Sequence, residues 1–488
     1  MPQSPANAAQ DLIDRGDPSG ALELLARAAP SADVFAARAS AQLALGAHEA
    51  ALLSAREARG LEPENAAALF NEGRALMTLG EPELAVAAFA AAERLFKGVA
   101  DISARLGEAA FLAGADSVAE AALRRALDRA PAHALAFSVL ADLLNQQGQA
   151  SALDSLLRDA AGAGGASAFR AASVYARLGR RGEALTALAR AEASAAPSTA
   201  IDMLAADVLR EEGATGPALL RARAAAARAP EDAGVNAPLA RLLLITGAAD
   251  EAERLARHIL GNDRRNQLWL AFLWSALAAQ GSSEAEALLD FERDVLVTDI
   301  VPPEQFASIE AFNAALAAEV LPLHRSIGAA PLGQSVHGGS QTRQPLQTAR
   351  SPALQAFFAV ARDAAGRFAA SFPRDASHPL HRNRGKAARI SAAWSVALAP
   401  GGRHSAHVHP AGSVSSAYYI EAPARADGAG RLALGEPPFP VPNCTAPRRI
   451  VDPAPGRLAL FPSYCWHGTT AFTHPGRRLT IAFDVEFF

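Results

Sequence analysis

The sequence has few residues of the kinds that mark secreted or nucleic-acid-binding proteins. Only 2 cysteines occur in 488 residues, so no disulfide framework is predicted and a reducing compartment is expected. We interpret one of them, Cys465, as a small buried hydrophobic residue, although it lies two residues before His467. The formal net charge is -4, and no run of lysine and arginine indicates a basic surface. Nucleic acid is therefore not an expected partner.

Long apolar segments and aromatic residues are also scarce. No run of about 18 apolar residues occurs, and the N-terminal segment lacks a basic region followed by an apolar core. We therefore predict a soluble cytoplasmic protein without a membrane partner. Aromatic residues supply 6% of the chain and hydrophobic residues 50%, with alanine providing much of the excess. This composition favours closely packed helices of small residues.

Glycine recurs with a fixed spacing over the first part of the chain. Two series with steps of 34 residues are separated by a step of 31: Gly46, Gly80, Gly114 and Gly148, then Gly179, Gly213, Gly247 and Gly281. An alanine stands five residues after most of these glycines, and a proline stands seventeen residues after several of them. Glycine permits a tight turn between two helices, a small alanine lets them approach closely, and proline ends the second helix.

A 34-residue period with these features resembles the tetratricopeptide repeat. The resemblance implies about eight repeats that stack into an α-solenoid with a concave groove, and we assign them residues 1–296. A protein or peptide partner in the groove is a hypothesis, with Asn71, Arg74 and Arg105 as scattered candidates. Protein recognition, self-association and support of the next domain all stay open as the role of the groove.

Periodicity ends near Asp290, and residues 297–388 are predicted to hold a linker and helices that flank the last domain. The linker is predicted at residues 297–305, where two adjacent prolines stop a helix. Amphipathic patterns predict helices over residues 303–320 and 352–372. Residues 334–342 lie between them and are rich in small polar residues, so they are predicted to form a loop. Within that loop, Gln341 and Thr342 either rim a site or belong to an ordinary turn.

From Arg389 onward the apolar pattern changes to a period of two, in runs separated by proline and glycine turns. Residues 389–488 are predicted to form about six to eight antiparallel strands that close on themselves as a double-stranded β-helix, or jelly roll. The predicted fold class is therefore multidomain α + β, with an α-solenoid followed by a jelly roll and its flanking helices.

Histidines cluster in this last segment. His407 and His409 are two residues apart in an extended run, so both side chains point to the same face of a strand. His467, just after a strand-like segment, is the obvious third member on an adjacent strand. Because three neutral nitrogen donors suit iron, zinc or copper, we predict a metal site.

Arg478 and Thr480 lie on the closing segment, where they alternate with apolar residues that face the other layer. A guanidinium beside a hydroxyl on an interior strand face suits a carboxylate, which it holds through charge-assisted hydrogen bonds. A dicarboxylate held in this way has its other end free to chelate the metal.

The order of these motifs resembles that of the Fe(II)- and 2-oxoglutarate-dependent oxygenases, which are built on a double-stranded β-helix. It is similar in particular to bacterial members that carry tetratricopeptide repeats in front. The resemblance implies that His407, His409 and His467 bind Fe(II). It also implies that Arg478, helped by Thr480, holds the distal carboxylate of the co-substrate 2-oxoglutarate.

The same resemblance implies oxidative decarboxylation of 2-oxoglutarate by O2, coupled to hydroxylation of a substrate. We expect this substrate to be a protein or peptide recruited by the repeats. Tyr419, with Tyr418 as the second choice, either reaches the distal carboxylate or packs in the core. His409 stands where most of the family has aspartate or glutamate, and Glu421 and Asp484 are the alternative carboxylates.

The other histidines of the C-terminal part show no pairing pattern. We expect them on the surface or in loops: His324, His337, His378, His381, His404 and His474.

Two other functions remain open. A cupin-type enzyme also uses three histidines around a metal, without 2-oxoglutarate. Cupins typically place a glutamate shortly after the first two histidines, and this chain has none there. The second alternative is a non-catalytic tetratricopeptide scaffold with an inactive β-helix. Neither alternative needs Arg478 and Thr480.

Overall fold

The structure, a computed structural model, describes residues 4–194, 198–324, 332, 335–343, 345–422, 430–473 and 475–488. By its internal contacts the chain divides into two compact units, Met1–Leu144 and Asn145–Phe488. The domain boundaries after residues 296 and 388 stay predictions.

The repeat region consists of consecutive helices joined by short turns. In the first unit they are α1 (Pro5–Asp14), α2 (Pro18–Ala26), α3 (Ala32–Ala44), α4 (His48–Leu61), α5 (Ala66–Thr78), α6 (Pro82–Leu95), α7 (Ala100–Leu112) and α8 (Asp116–Arg129). Next along the chain come α9 (Ala134–Gln146), α10 (Ala150–Ala163), α11 (Gly165–Arg177), α12 (Arg181–Glu192), α13 (Thr199–Glu211), α14 (Thr215–Arg228), α15 (Ala233–Ile245), α16 (Ala249–Asn262), α17 (Gln267–Ala279) and α18 (Ser283–Leu288).

The glycines that set the sequence period lie in the turns between these helices. Gly46 and Gly80 have φ values of 74° and 77°, a left-handed conformation that glycine adopts without a steric penalty. The alanines five residues later, such as Ala51 and Ala85, are fully buried. Small residues thus allow each helix to pack closely on its neighbour, and the predicted tetratricopeptide-type helix pairs are confirmed. In the part of the chain that the structure describes, no helix combines the length and apolarity of a membrane span.

The second unit also contains a mainly antiparallel sheet and two further α-helices. Its strands are β1 (Leu296–Asp299), β2 (Val336–Gln341), β3 (Ala388–His407), β4 (Val414–Glu421), β5 (Leu432–Leu434), β6 (Arg449–Val451), β7 (Arg457–Pro462), β8 (His467–Thr469) and β9 (Arg478–Phe487). The helices are α19 (Ile309–Val320) and α20 (Pro352–Ser371), with short 3-10 helices at Leu321–Leu323, Leu346–Thr348 and His381–Asn383.

The strands pair antiparallel in the order β1, β7, β4, β9, β3, β8, β5, β6, and β2 pairs with β3. The central strand β9 alternates as its sequence predicts. Its apolar residues pack against α19 and α20 in one hydrophobic cluster: Leu479, Ile481, Phe483 and Val485. Its polar residues face the opposite side of the sheet. The α-solenoid-plus-jelly-roll fold class is confirmed.

Two segments predicted to be irregular contribute strands. Residues 297–299 of the predicted linker lie in β1, which pairs with β7. The loop predicted at residues 334–342 is wrong over β2. Gly339 in β2 lies so close to β3 that an added Cβ would stand 2.4 Å from the Ala397 carbonyl oxygen. Its small residues therefore serve close strand pairing rather than a free loop.

The two flanking helices occur where predicted, with one shifted end. α19 begins at Ile309 rather than residue 303, because Ser308 accepts a hydrogen bond from the Ala311 amide and caps the helix there. α20 spans Pro352–Ser371, within one residue of the prediction.

Candidate metal centre

Three histidines meet in one cavity, two of them on paired strands and the third in the segment that follows the first of these strands. His407 ends β3 and stands opposite His467 at the start of β8, and His409 follows two residues after β3. One ligand atom from each of the three side chains lies within 4.8 Å of the others. The Nε2 atoms of His407 and His409 are 3.2 Å apart. The three side chains that the sequence analysis grouped therefore lie close together in the structure.

Each imidazole is oriented by an oxygen atom at its Nδ1. His407 Nδ1 lies 2.9 Å from the Ser405 carbonyl oxygen, and His467 Nδ1 lies 3.0 Å from the Cys465 carbonyl oxygen. A carbonyl oxygen can only accept, so these Nδ1 atoms carry the proton and donate it. The Nε2 atoms consequently present lone pairs to the cavity. Two lone pairs facing each other at 3.2 Å repel unless a cation lies between them.

His409 is held by a carboxylate. Its Nδ1 donates to Asp484 Oδ1 at 2.6 Å, and the Ser415 hydroxyl donates to the same oxygen at 2.7 Å. Asp484 was considered in the sequence as an alternative ligand, but it lies behind His409 and faces that ring. The other alternative, Glu421, forms two hydrogen bonds with Arg477, at 3.0 and 2.8 Å. Neither carboxylate belongs to the three-histidine cluster.

Burial keeps two of the three imidazoles neutral. It lowers the pKa of His407 to about 4, with a smaller effect from His409, and lowers the pKa of His467 well below its usual value. Neutral imidazole is the form that binds a metal ion. The donor set thus fits a divalent transition metal at neutral pH, and Fe(II) is among the ions that three imidazoles suit.

Arg478 lies on the wall of the same cavity. It is 3% exposed, and its Nε has no hydrogen-bond partner among the residues that the structure describes. Its Nη2 is 3.4 Å from the Tyr419 hydroxyl, and its guanidinium lies 4.9 Å from the centre of that ring. Among the described residues, no carboxylate lies within ion-pair distance of it. Because a buried unpaired charge is costly, an anionic ligand is the expected partner.

The remaining predicted residues divide between the cavity and the core. Thr480 lines the cavity beside Arg478, with its hydroxyl 3.5 Å from the Val396 carbonyl oxygen. Tyr419 contacts Arg478 from behind. Tyr418 points to the other face, where its hydroxyl donates to Asn313 Oδ1 at 2.6 Å. Of the two tyrosines, the first choice is therefore the one near the site.

The rim positions proposed in the predicted loop serve strand pairing. Thr342 exchanges hydrogen bonds with the backbone of Ser395, its amide and its hydroxyl each at 3.0 Å. Gln341 pairs with Val396 in the sheet. Both residues thus take part in strand pairing rather than in a turn.

His404 is a cavity residue that sequence reasoning missed. It was expected on the surface because it lies three residues before His407, out of strand register. The pairing of β3 with β8 shifts between these two residues, so a bulge turns His404 toward the cavity as well. Its ring centre lies 5.7 Å from that of His407, and its Nδ1 lies 3.1 Å from the Ser335 hydroxyl. A bulge leaves no clear signal in a single sequence.

Three more histidines expected on the surface are buried. His324 lies between the hydroxyls of Ser340 and Ser395, at 2.8 and 3.1 Å. His378 and His381 stack at 3.7 Å, and His381 Nε2 lies 2.8 Å from Asp294 Oδ1.

His337 is exposed, as expected, and His474 lies outside the described residues.

Asp294, His378 and His381 also form a compact group, but their hydrogen bonds account for it. His378 Nδ1 accepts from the amides of Leu380 and His381, and its Nε2 contacts the Leu288 carbonyl oxygen at 3.1 Å. Both nitrogens of His378 are therefore engaged with the backbone. The group is a buried polar network that joins the end of the repeats to the segment after α20.

Parts of the chain are similar to known proteins. Residues 392–484 match the family model described as "Putative 2OG-Fe(II) oxygenase". No match was found among the curated proteins. The repeats are similar to a tetratricopeptide repeat protein from Parabacteroides merdae, at 17% identity and a TM-score of 0.36 over 48% of this chain and 96% of that one. They are also similar to MamA from Desulfovibrio magneticus, at 18% identity and a TM-score of 0.29 over 33% and 94%.

The chain thus has tetratricopeptide-type helix pairs, and a segment after them, residues 392–484, matches the model described as "Putative 2OG-Fe(II) oxygenase".

Proposed function

We propose that this chain is an Fe(II)- and 2-oxoglutarate-dependent oxygenase that hydroxylates its substrate. The observation that carries the proposal is the buried guanidinium of Arg478, which has no acidic partner among the described residues and shares a cavity with three imidazole lone pairs. A metal site alone accounts for the histidines. A ligand that is both a metal chelator and an anion accounts for the histidines and the arginine together.

His407, His409 and His467 would hold the iron, and Arg478 would hold the distal carboxylate of 2-oxoglutarate. Thr480 adds a hydroxyl on the same strand face, and Tyr419 fixes the guanidinium from the other side. When bound, Fe(II) with 2-oxoglutarate and O2 supplies the oxidising power for hydroxylation. This chain's own residues bind, orient and neutralise charge, and no side-chain acid or base is assigned.

Asp484 compensates for the absence of a carboxylate ligand. Three neutral imidazoles leave the full positive charge on the metal, whereas a ligand carboxylate would reduce it. Asp484 contacts His409 at 2.6 Å, so its negative charge lies one imidazole away from the metal. A carboxylate behind a ligating histidine fixes the tautomer and raises the basicity of the ligand.

The substrate is proposed to be a protein or peptide side chain brought by the repeats. Helix-pair solenoids present extended surfaces that suit polypeptides. The cytoplasmic location of the protein also stays a prediction.

The affinity for 2-oxoglutarate tests this function in anaerobic, metal-loaded protein. We expect Arg478→Ala to weaken binding by about 100-fold, because a buried charge-assisted contact is lost. Arg477→Ala is the matched control, since its neighbour Arg477 pairs with Glu421 instead of facing the cavity. Equal affinity in the two variants would contradict the proposal and favour a cupin-type centre or an inactive scaffold.

A further inference from the structure

The last helical repeat is built into the sheet next to one of the predicted metal ligands. α17 is buried on almost its whole circumference, whereas the preceding helix α16 is buried on one face only. Its side chains belong to one continuous hydrophobic cluster with residues of β5, β7 and the segment 464–466. A repeat helix that only recruited a partner would need no such contact.

Trp466, the residue before His467, is the centre of this junction. It is 4% exposed, and its indole Nε1 donates to the Ser275 hydroxyl of α17 at 3.0 Å. Ser275 in turn donates to the Ala271 carbonyl oxygen at 2.8 Å, which leaves its oxygen lone pair for the indole. The ring also lies against Phe272 of α17 at 6.1 Å between centres.

The backbone around Trp466 is anchored as well. The Tyr464 hydroxyl donates to the Leu288 carbonyl oxygen at the end of α18, at 2.8 Å. The Gly435 amide, directly after β5, donates to the Trp466 carbonyl oxygen at 2.7 Å. Between Tyr464 and Trp466, the Cys465 carbonyl oxygen orients the imidazole of His467. The segment that orients this imidazole is thus held by α17 and α18 through the side chains of Trp466 and Tyr464, and by the sheet through Gly435.

We propose that Ser275 and Trp466 are positioning residues for His467, and that α17 and α18 form part of the metal centre. The inference rests on the proposed metal site, which it deepens. An anchor of this kind lets the end of the solenoid set the geometry of the third ligand. Outer partners of metal ligands typically contribute about 10- to 100-fold to metal affinity.

Cobalt(II) titration of the metal-free, full-length chain tests the inference through the visible absorption of the bound ion. We expect Trp466→Phe and Ser275→Ala to raise the Kd for Co(II) by about 10-fold, because each removes the indole contact that fixes this backbone. Trp269→Phe is the matched control. Trp269 lies on the same helix, is fully buried and donates its indole N–H to the Ala233 carbonyl oxygen at 3.1 Å, away from the sheet.

A merely structural role would lower thermal stability equally in all three variants and leave the Kd unchanged, and this result would overturn the inference. The proposed function would then still stand, because the unaltered chain binds the ion. If the unaltered chain binds no Co(II), the proposed metal site fails and the inference fails with it. If the Trp466→Phe variant does not fold, the Kd of the Ser275→Ala variant for Co(II) tests the inference, since that change removes a single oxygen atom.

Discussion

Three imidazoles in one cavity are held in the same tautomer by three different acceptors. Two acceptors are backbone carbonyls two residues earlier in the chain, at Ser405 and Cys465, and the third is the carboxylate of Asp484. Each acceptor fixes the proton on Nδ1 and so turns an Nε2 lone pair toward the shared space. The chemistry of the site depends on these outer contacts as much as on the histidines.

The charge of Asp484 can be separated from its shape. Asp484→Asn keeps an oxygen that accepts from His409 and removes the negative charge. We expect the affinity for a divalent metal such as Zn(II), measured by competition with a chromophoric chelator, to fall by about 10- to 100-fold. Glu421→Gln is the control on the neighbouring strand β4, where the carboxylate pairs with Arg477. Unchanged affinity in Asp484→Asn would show that only the hydrogen bond matters.

Burial of His324 predicts an acid-sensitive fold. Burial, with a smaller effect from Arg477, lowers the pKa of His324 from 6.5 to about 4. As the pH falls from 6.5 to about 4, His324 therefore binds a proton in the unfolded chain but stays neutral in the folded chain. The free energy of unfolding should fall over this window, by up to about 3 kcal/mol from this group.

Chemical denaturation of metal-free protein at several pH values measures this effect. His324→Gln, which does not titrate, should reduce the pH dependence, because the contribution of His324 is removed while those of His407 and His467 remain. His258→Gln, at an exposed position on α16, is the control. A slope that is identical in the His324→Gln variant would contradict the assignment.

At the residue level the sequence predicted what strand alternation determines. Alternation placed Arg478 and Thr480 on one face of β9, and both line the cavity. It could not predict the bulge that turns His404 inward, nor the cross-strand pairing that brings Asp484 to His409, because both depend on the register between distant strands. That His407, His409 and His467 bind a metal ion stays a prediction.

Among the elements, β2 shows how composition misleads. Small polar residues usually indicate a loop, yet here they permit a strand to approach β3 closely. The helices were predicted more accurately, since a 3.6-residue period over many residues is a stronger signal than a six-residue strand with two glycines. The start of α19 differed because a single capping serine determines it.

A substitution at Gly339 tests the close pairing of β2. The added methyl of Gly339→Ala would stand 2.4 Å from the Ala397 carbonyl oxygen, so we expect the free energy of unfolding to fall by about 1–3 kcal/mol. Gly366→Ala is the control. Gly366 lies within α20 with open space around its Cα, and alanine there should stabilise the fold by about 0.5–1 kcal/mol. Denaturant unfolding of both variants gives the comparison, and a stable Gly339→Ala protein would argue against this strand pairing.

For the whole molecule, internal periodicity was enough to predict the repeats and the change of period was enough to predict the sheet. No sequence pattern indicated that α17 and α18 join the hydrophobic cluster of the sheet, because that junction is made by aromatic residues far apart in the chain, Phe272 and Trp466. Repeat helices that share a hydrophobic cluster with the C-terminal sheet differ from a detachable recruitment module.

The most direct test of the proposed oxygenase is anaerobic titration of the Fe(II)-loaded chain with 2-oxoglutarate, followed in the visible spectrum. Chelation of the iron by the 2-oxo acid predicts a weak charge-transfer band that saturates with one equivalent and is absent in the His467→Ala variant. Iron bound without such a band would contradict the use of 2-oxoglutarate, and failure to bind iron at all would contradict the metal centre.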